Sequence, residues 1–250
     1  VIVPPGNLAE MLRTNGETNY FSRMLDRFSA PYYEANVTNS YNDYAVANGE
    51  NRKDSIFEKA YMNTRTNNID PNGKILNSSD LLPYDPGWNA YYTTGTNSQL
   101  SDIAAMFVPS DKAMEEYFLP GGSGAFLIEQ FGKKKPNNVE NLKANIDSIP
   151  KNIVQAFVSM LMKSSFIASV PSKFDNVTDD SNDPMGLSTD VIEKKDGKYN
   201  VKIANNGVAY ILNKVFAPNK YVAVSAPALL ATDMRVMNWG IQNDKLRNAT

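Results

Sequence analysis

The sequence predicts an α+β domain, with several helices and an antiparallel meander of strands. Phe21, Met24, Leu25 and Phe28 follow the i, i+3, i+4, i+7 spacing of an amphipathic helix. The stretch AMFVPSDKAMEEYF, residues 105–118, changes from an apolar strand to a helix at a single proline. The C-terminal third places β-branched and aromatic residues around two turn dipeptides, as antiparallel hairpins do.

Two helices are predicted at the start of the chain. Leu8, Met11 and Leu12 give one apolar helical turn, which Asn15-Gly16 ends. The amphipathic stripe that follows predicts a second helix, packed on a core by its apolar face and closed by Pro31.

Residues 32–101 differ in composition, because Asn, Asp, Ser, Thr and Tyr dominate there. Turn dipeptides recur at Asn48-Gly49, Asn72-Gly73 and Pro86-Gly87, and one short helix is expected over residues 56–61. The stretch holds eight of the 13 tyrosines, which is too aromatic for a disordered linker. It is therefore predicted to be an ordered, loop-rich insertion.

The junction at Pro109 follows from three local rules. Proline cannot continue a buried strand, Ser110 is a favourable N-cap, and Asp111 is favoured in a first helical turn by the helix dipole. The apolar residues of the helix would form its buried face: Met114, Tyr117 and Phe118.

Helices and then strands are predicted further along the chain. A short helix or turn is expected over residues 142–149, and a helix buried on all sides over residues 152–170. Asp196-Gly197 and Asn206-Gly207 predict the turns of a three-stranded meander. Helical character returns after Pro218, as at the beginning of a further unit.

Composition excludes several classes of function. The chain has 25 basic and 27 acidic residues, and Lys133-Lys134-Lys135 is its one basic run, so nucleic-acid binding is not expected. It has no His and no Cys, which excludes Ser-His-Asp, Cys-His and thiolate zinc sites. A pair of carboxylates, such as Asp85 and Asp102, remains the one hydrolytic alternative. No catalytic, cofactor-binding or metal-binding residue is predicted.

Membrane contact by this segment is not expected either. No apolar run approaches the roughly 18 residues of a spanning helix, and the first residues, VIVP, lack the features of a signal peptide. Gly121-Gly122-Ser123-Gly124 is not a phosphate loop, because the GxxxxGK[ST] pattern is absent.

Two segments resemble the signatures of the fasciclin-like (FAS1) family. MFVPSDKAM, residues 106–114, is similar to the strand-to-helix element of the first signature, and NGVAYILNKVFAP, residues 206–218, is similar to the second. The resemblance covers roughly residues 8–31 and 102–218 in the family's order. It is greatest with modules of surface lipoproteins from Bacteroides-type gut bacteria.

The resemblance implies a wedge of twisted, mainly antiparallel sheets packed with helices, and a non-enzymatic role in extracellular adhesion. Residues 1–224 would form the module, with 32–101 as an insertion, and 225–250 would begin a following module of a tandem array. A protein or glycan at the cell surface or outer membrane would be the ligand, and a lipoprotein anchor is expected upstream. The integrin-binding Tyr-His motif of animal relatives cannot occur without histidine, so no contact residue is carried over.

The insertion also allows a carbohydrate-binding module as the alternative function. Tyr84, Trp88, Tyr91 and Tyr92 could stack on sugar rings while Asp85 and its neighbours bind hydroxyls. The competing interpretation is that these aromatics pin the loop to the domain.

Two segments have the oxygen spacing of calcium loops, one from Asn68 to Ser79 and one from Asp179 to Asp190. The first lacks the final bidentate Glu and the second has Pro184 where Gly is needed, so Asx-rich turns are expected instead. Asparagines 36, 77, 176 and 248 fit the N-glycosylation pattern, and Ser55 and Ser148 lie in Asp-Ser-Ile sequences that resemble a bacterial O-glycosylation sequon.

Overall fold

The computed structural model describes residues 6–87 and 103–222, together with Met234, Val236 and Trp239. The described helices are α1 (Leu8–Thr14), α2 (Asn19–Asp26), α3 (Ala35–Asn48), α4 (Asp111–Phe118), α5 (Ala125–Phe131), α6 (Val139–Ser148), α7 (Lys151–Leu161) and α8 (Asn219–Val222). The described strands are β1 (Ser29–Tyr33), β2 (Phe57–Tyr61), β3 (Ala104–Pro109), β4 (Met162–Lys163), β5 (Lys194–Lys195), β6 (Lys198–Tyr199), β7 (Val201–Ala204) and β8 (Gly207–Leu212). The α+β class predicted from sequence is confirmed. The unit predicted at 225–250 lies outside the described residues, except for the three named.

A four-stranded sheet with the order β4-β3-β8-β7 forms the centre of the fold. Strand β3 runs parallel to β8, and the other two pairs are antiparallel. Every residue of β3 and β8 is buried. Phe107 lies opposite Tyr210, with stacked rings 5.2 Å apart, and Val108 lies opposite Ile211. These two distant segments therefore meet in one hydrophobic interior.

Helices cover this sheet and are joined by capping contacts. Helix α2 packs against α4, α6 and α7, while α1 packs against β7 and β8. Ser110 caps α4 as predicted, because its hydroxyl accepts a hydrogen bond from the backbone N–H of Ala113 at 3.3 Å. The Asp111 carboxylate accepts hydrogen bonds from Tyr20 N and Asn19 Nδ2, so it caps the start of α2 rather than its own helix.

Two predicted helix ends are wrong. Helix α7 does not continue to residue 170, because Met162 pairs with Met106 as the chain joins the edge of β3. Helix α2 ends at Asp26, well before Pro31, and Pro31 lies inside β1 opposite Lys59. In both places strand pairing with a distant segment replaces a further helical turn.

The predicted three-stranded meander is also corrected. The turn at Asp196-Gly197 forms, with φ of 52° and 75°, but it joins β5 and β6 in a separate two-stranded sheet. The second turn consists of Asn205 and Asn206, and Gly207 is the first residue of β8. A Cβ on Gly207 would lie 2.5 Å from Leu8 Cδ1, so this glycine permits close packing rather than a left-handed turn.

Residues 32–87, the described part of the segment predicted to be an insertion, have more regular structure than the sequence predicts. Their composition gave no signal for α3, a helix of 14 residues. The predicted helix over residues 56–61 is wrong, because Phe57–Tyr61 is strand β2, antiparallel to β1. None of the described helices is both long enough and apolar enough to cross a membrane.

Candidate interaction surface

Strands β1 and β2 form a two-stranded ribbon whose tip carries two exposed aromatic side chains. Tyr33 lies directly opposite Phe57, and their rings meet edge to face at 6.0 Å. The exposed fractions are 52% for Tyr33 and 57% for Phe57. Directly opposed residues share one face of a strand pair, so the two rings form one continuous apolar surface, called here the ribbon tip.

The base of the ribbon is fixed in the core by other aromatics. Tyr61 is buried, and its hydroxyl donates to Asp26 Oδ1 at 2.9 Å. Burial, followed by the nearby Asp26 carboxylate, raises the pKa of the Tyr61 hydroxyl above its ordinary value. Tyr84 is 1% exposed and donates to the carbonyl of Ala105 in β3 at 3.1 Å. The ribbon is therefore anchored by the buried Tyr61 at its base and exposed to solvent at its tip.

Helix α3 follows β1 directly and is held mainly by polar contacts. Thr38 and Ala45 are its buried residues. Ile56 N donates to the Thr38 hydroxyl at 2.9 Å, and the Asn42 side chain exchanges two hydrogen bonds with the backbone of Lys53. Its larger apolar side chains are exposed: Val37, Tyr44 and Val46. The helix thus enlarges the exposed apolar surface of the insertion instead of contributing an apolar face to the core.

The ribbon also lines an open cleft with a volume of about 320 Å³. Its lining residues are Glu34, Glu58, Lys59, Ala60, Thr66, Asn67, Asp85 and Gly87. Lys59 forms an ion pair with Asp26, and the buried Asp85 accepts a hydrogen bond from Gly87 N at 2.7 Å. Glu34 and Glu58 remain at the surface as hydrogen-bond acceptors, which suits a ligand that presents hydroxyl or cationic groups.

The structure separates the residues that were predicted to bind carbohydrate or to act as acids. The prediction that Tyr84 stacks on sugar rings is wrong, because its ring is buried and its hydroxyl is bonded to Ala105 of β3. Asp85 is also buried, beside the ribbon, with its carboxylate directed at backbone N–H groups. Trp88, Tyr91, Tyr92 and Asp102 lie outside the described residues.

Both segments with the oxygen spacing of calcium loops form Asx-rich turns. Asp70 Oδ1 accepts hydrogen bonds from Asn72 N and Lys74 N. Asp179 Oδ1 likewise accepts from the backbone N–H groups two and four residues ahead, and its Oδ2 accepts from the Asn219 side chain. Among the described residues no group of three or more His, Cys, Asp or Glu side chains could hold a metal ion.

The two Asp-Ser-Ile sequences lie in different surroundings. Ser55 is in an exposed loop between α3 and β2. Ser148 ends α6, donates to the carbonyl of Ala144, and follows Asp147, which pairs with Arg23. Asparagines 36, 77 and 176 are exposed, whereas Asn248 lies outside the described residues. Modification at any of these positions stays a prediction.

Sequence reasoning missed Tyr33 and Phe57 as a pair. FEKAY, residues 57–61, gave no signal for a strand, because its apolar residues follow the i, i+3, i+4 spacing of a helix. Comparisons of the chain with protein-family models, with curated proteins and with solved structures find no match. The class of protein is therefore defined by the fold and the surface alone: an α+β domain with an aromatic ribbon tip.

Proposed function

We propose that this chain is a non-enzymatic interaction module of an exported bacterial surface protein, with a fasciclin-like fold. The support is the side-by-side pairing of the two segments that resemble the family's signatures, residues 106–114 and 206–218, in the central sheet. The strands of both segments are buried and paired, so they serve the scaffold and leave binding to the parts that surround it.

The ribbon tip carries the proposed contact. Tyr33 and Phe57 are about half exposed although the same ribbon buries Tyr61 at its base. Exposed aromatics on a rigid support are typical of protein interaction sites, since they bury much apolar area with little loss of side-chain freedom. Glu34 and Glu58, each one residue along the chain from a ring, line the neighbouring cleft and place polar groups beside this surface.

The partner is a protein or glycan outside the cytoplasm, at the cell surface or outer membrane. In this proposal a lipoprotein anchor upstream would hold the module at that surface, with further modules in tandem. Carbohydrate binding through Trp88, Tyr91 and Tyr92 is the alternative, and it remains a prediction from the sequence.

The experiment compares binding of the native chain and of a Tyr33→Ser/Phe57→Ser variant to an immobilised panel of matrix proteins and envelope glycans. Ile203→Ser is the matched control, because Ile203 is 73% exposed on β7 of the central sheet, outside the insertion. We expect binding to at least one panel member, its loss in the double variant, and its retention in the control.

Three outcomes discriminate between the possibilities. Equal binding by the native and double-variant chains, or loss only in Ile203→Ser, would contradict the ribbon tip as the contact. Saturable sugar binding that is lost in Trp88→Ala but kept in the double variant would support the carbohydrate-binding alternative. Turnover of a glycoside panel by the native chain would show that it is an enzyme.

A further inference from the structure

A second, smaller cavity surrounds a lysine at the edge of the central sheet. It has a volume of about 200 Å³ and lies beside the end of β4. Its lining residues are Lys163, Ser164, Ser165, Ala168, Ser169, Asn176, Val177 and Thr178. Within this lining Lys163 is the one residue that ionises, and the others offer hydroxyl groups, an amide and small apolar surfaces.

The Lys163 ammonium is held at the cavity by a defined contact. Its Nζ donates a hydrogen bond to the carbonyl of Thr178 at 2.8 Å. Strand β4 fixes the backbone, since Lys163 pairs with Ala105 at the edge of the central sheet. The amine is therefore oriented toward the loop of residues 164–178 instead of extending freely into solvent, as most surface lysines do.

Partial burial changes the chemistry of this amine. Burial lowers the pKa of Lys163 below its ordinary value, and the carboxylate of Asp179 opposes that shift. A lowered pKa raises the fraction of neutral amine at neutral pH, and the neutral amine is the nucleophile that attacks carbonyl carbon. Lys163 thus combines a nucleophile with a polar cavity next to it.

We propose that Lys163 is a covalent binding site for a small hydroxylated aldehyde, such as an open-chain reducing sugar. The Nζ lone pair attacks the aldehyde carbon to give a carbinolamine, and the proton lost from nitrogen is balanced by the one gained on oxygen. Loss of one water molecule then forms the C=N bond. No oxidant, reductant or further reactant is consumed.

The cavity walls suit this class of compound. The exposed hydroxyl of Ser164 and the exposed amide of Asn176 can exchange hydrogen bonds with ligand hydroxyls. Ser169 and Ser165 shape the wall, because the Ser169 hydroxyl donates to the carbonyl of Ser165 at 2.7 Å. The volume is below the roughly 300–1,000 Å³ of pockets for drug-sized ligands, so a small aldehyde is the expected occupant.

The test treats the native chain with glyceraldehyde and cyanoborohydride at neutral pH and follows each lysine by peptide mass mapping. We expect Lys163 to be trapped several-fold faster than the exposed lysines 133, 134 and 135, which serve as internal references. The Lys163→Arg variant should lose that adduct alone. Trapping at Lys163 that is no faster than at the references would overturn the proposal, even if the variant fails to fold.

Propanal, which has no hydroxyl groups, separates recognition by the cavity from simple amine reactivity. We expect Lys163 to prefer glyceraldehyde to propanal several-fold relative to the reference lysines, and Ser164→Ala to reduce that preference. If Lys163, relative to the reference lysines, is trapped equally fast by both aldehydes, the proposal that the ligand is hydroxylated is overturned. Because this site is remote in sequence from the ribbon tip and is measured chemically, its failure would leave the proposed function unaffected.

Discussion

Replacement of Asn206 by alanine should destabilise the whole domain, because this buried side chain joins three distant segments. Asn206 is 1% exposed, and its Oδ1 accepts a hydrogen bond from Leu8 N at 2.8 Å. Its Nδ2 donates to the carbonyl of Pro86 at 3.0 Å. The side chain therefore ties the first turn of α1 and residue 86 of the insertion to the turn between β7 and β8.

The magnitude follows from what each partner loses. Leu8 N is one of the first-turn N–H groups of α1 that has no partner within the helix, and leaving it buried without an acceptor costs about 1–3 kcal/mol. The Pro86 carbonyl still accepts from Ala9 N at 3.0 Å, so its second bond is worth only about 0.5–1.5 kcal/mol. We expect Asn206→Ala to lower the free energy of unfolding by about 2–4 kcal/mol.

Urea unfolding, monitored by circular dichroism, measures this decrease in the free energy of unfolding, provided that its dependence on urea concentration has the same slope in the variant and the native chain. Asn205→Ala is the matched control, because Asn205 is exposed in the same turn and its contact with Gly6 uses only the backbone. The control should change the free energy of unfolding by less than about 0.5 kcal/mol. A similarly small change for Asn206→Ala would refute the reasoning.

Two further predictions concern the core and the response to acid. Phe107→Ala removes a fully buried ring that stacks on Tyr210 of the neighbouring strand β8. The same urea assay should show that the free energy of unfolding falls by about 3–5 kcal/mol, and a fall below about 1 kcal/mol would contradict this packing. The pKa of Glu17 lies below its ordinary value of 4.5, chiefly because Asn200 and then Lys195 donate hydrogen bonds to its carboxylate. Ionised Glu17 therefore stabilises the fold above about pH 4.5, and that contribution is lost as the pH falls through the lowered pKa. In Glu17→Gln the free energy of unfolding should fall less steeply as the pH drops below about 4.5. An equally steep fall would contradict the role of the hydrogen bonds from Asn200 and Lys195.

The strand-to-helix junction could be predicted from sequence because its local signals agree. Pro109 ends the strand, Ser110 caps the helix, and the apolar spacing from Met114 to Phe118 sets its buried face. The pairing of residues 107 and 210 is non-local, and no local signal in either segment predicts it.

The helix α3 and the strand β2 could not be predicted in the same way. Val37, Tyr44 and Val46 of α3 are exposed, and the helix is held by hydrogen bonds of the Thr38 and Asn42 side chains, which hydrophobic periodicity does not detect. Residues 57–61 have the apolar spacing of a helix, and pairing with Ser29–Tyr33 makes them a strand instead. In both cases tertiary contacts, not local apolar spacing, decide the structure.

The candidate surface shows the same limit. Composition alone identifies the insertion as rich in tyrosine, but it does not separate the tyrosines that anchor from those that face solvent. Tyr61 and Tyr84 are buried, whereas Tyr33 and Phe57 are exposed. The register of the ribbon makes that distinction, because it places Tyr33 and Phe57 together at the end farthest from the core.

Photo-crosslinking tests the proposed contact most directly, because it captures whichever molecule touches the ribbon tip. A benzoylphenylalanine residue would replace Tyr33 in one variant and Ile203 in another, each displayed on the surface of living cells. If the ribbon tip is the contact surface, position 33 should give a discrete crosslinked product and position 203 should give none. Products from position 203 alone, or from neither position, would contradict it.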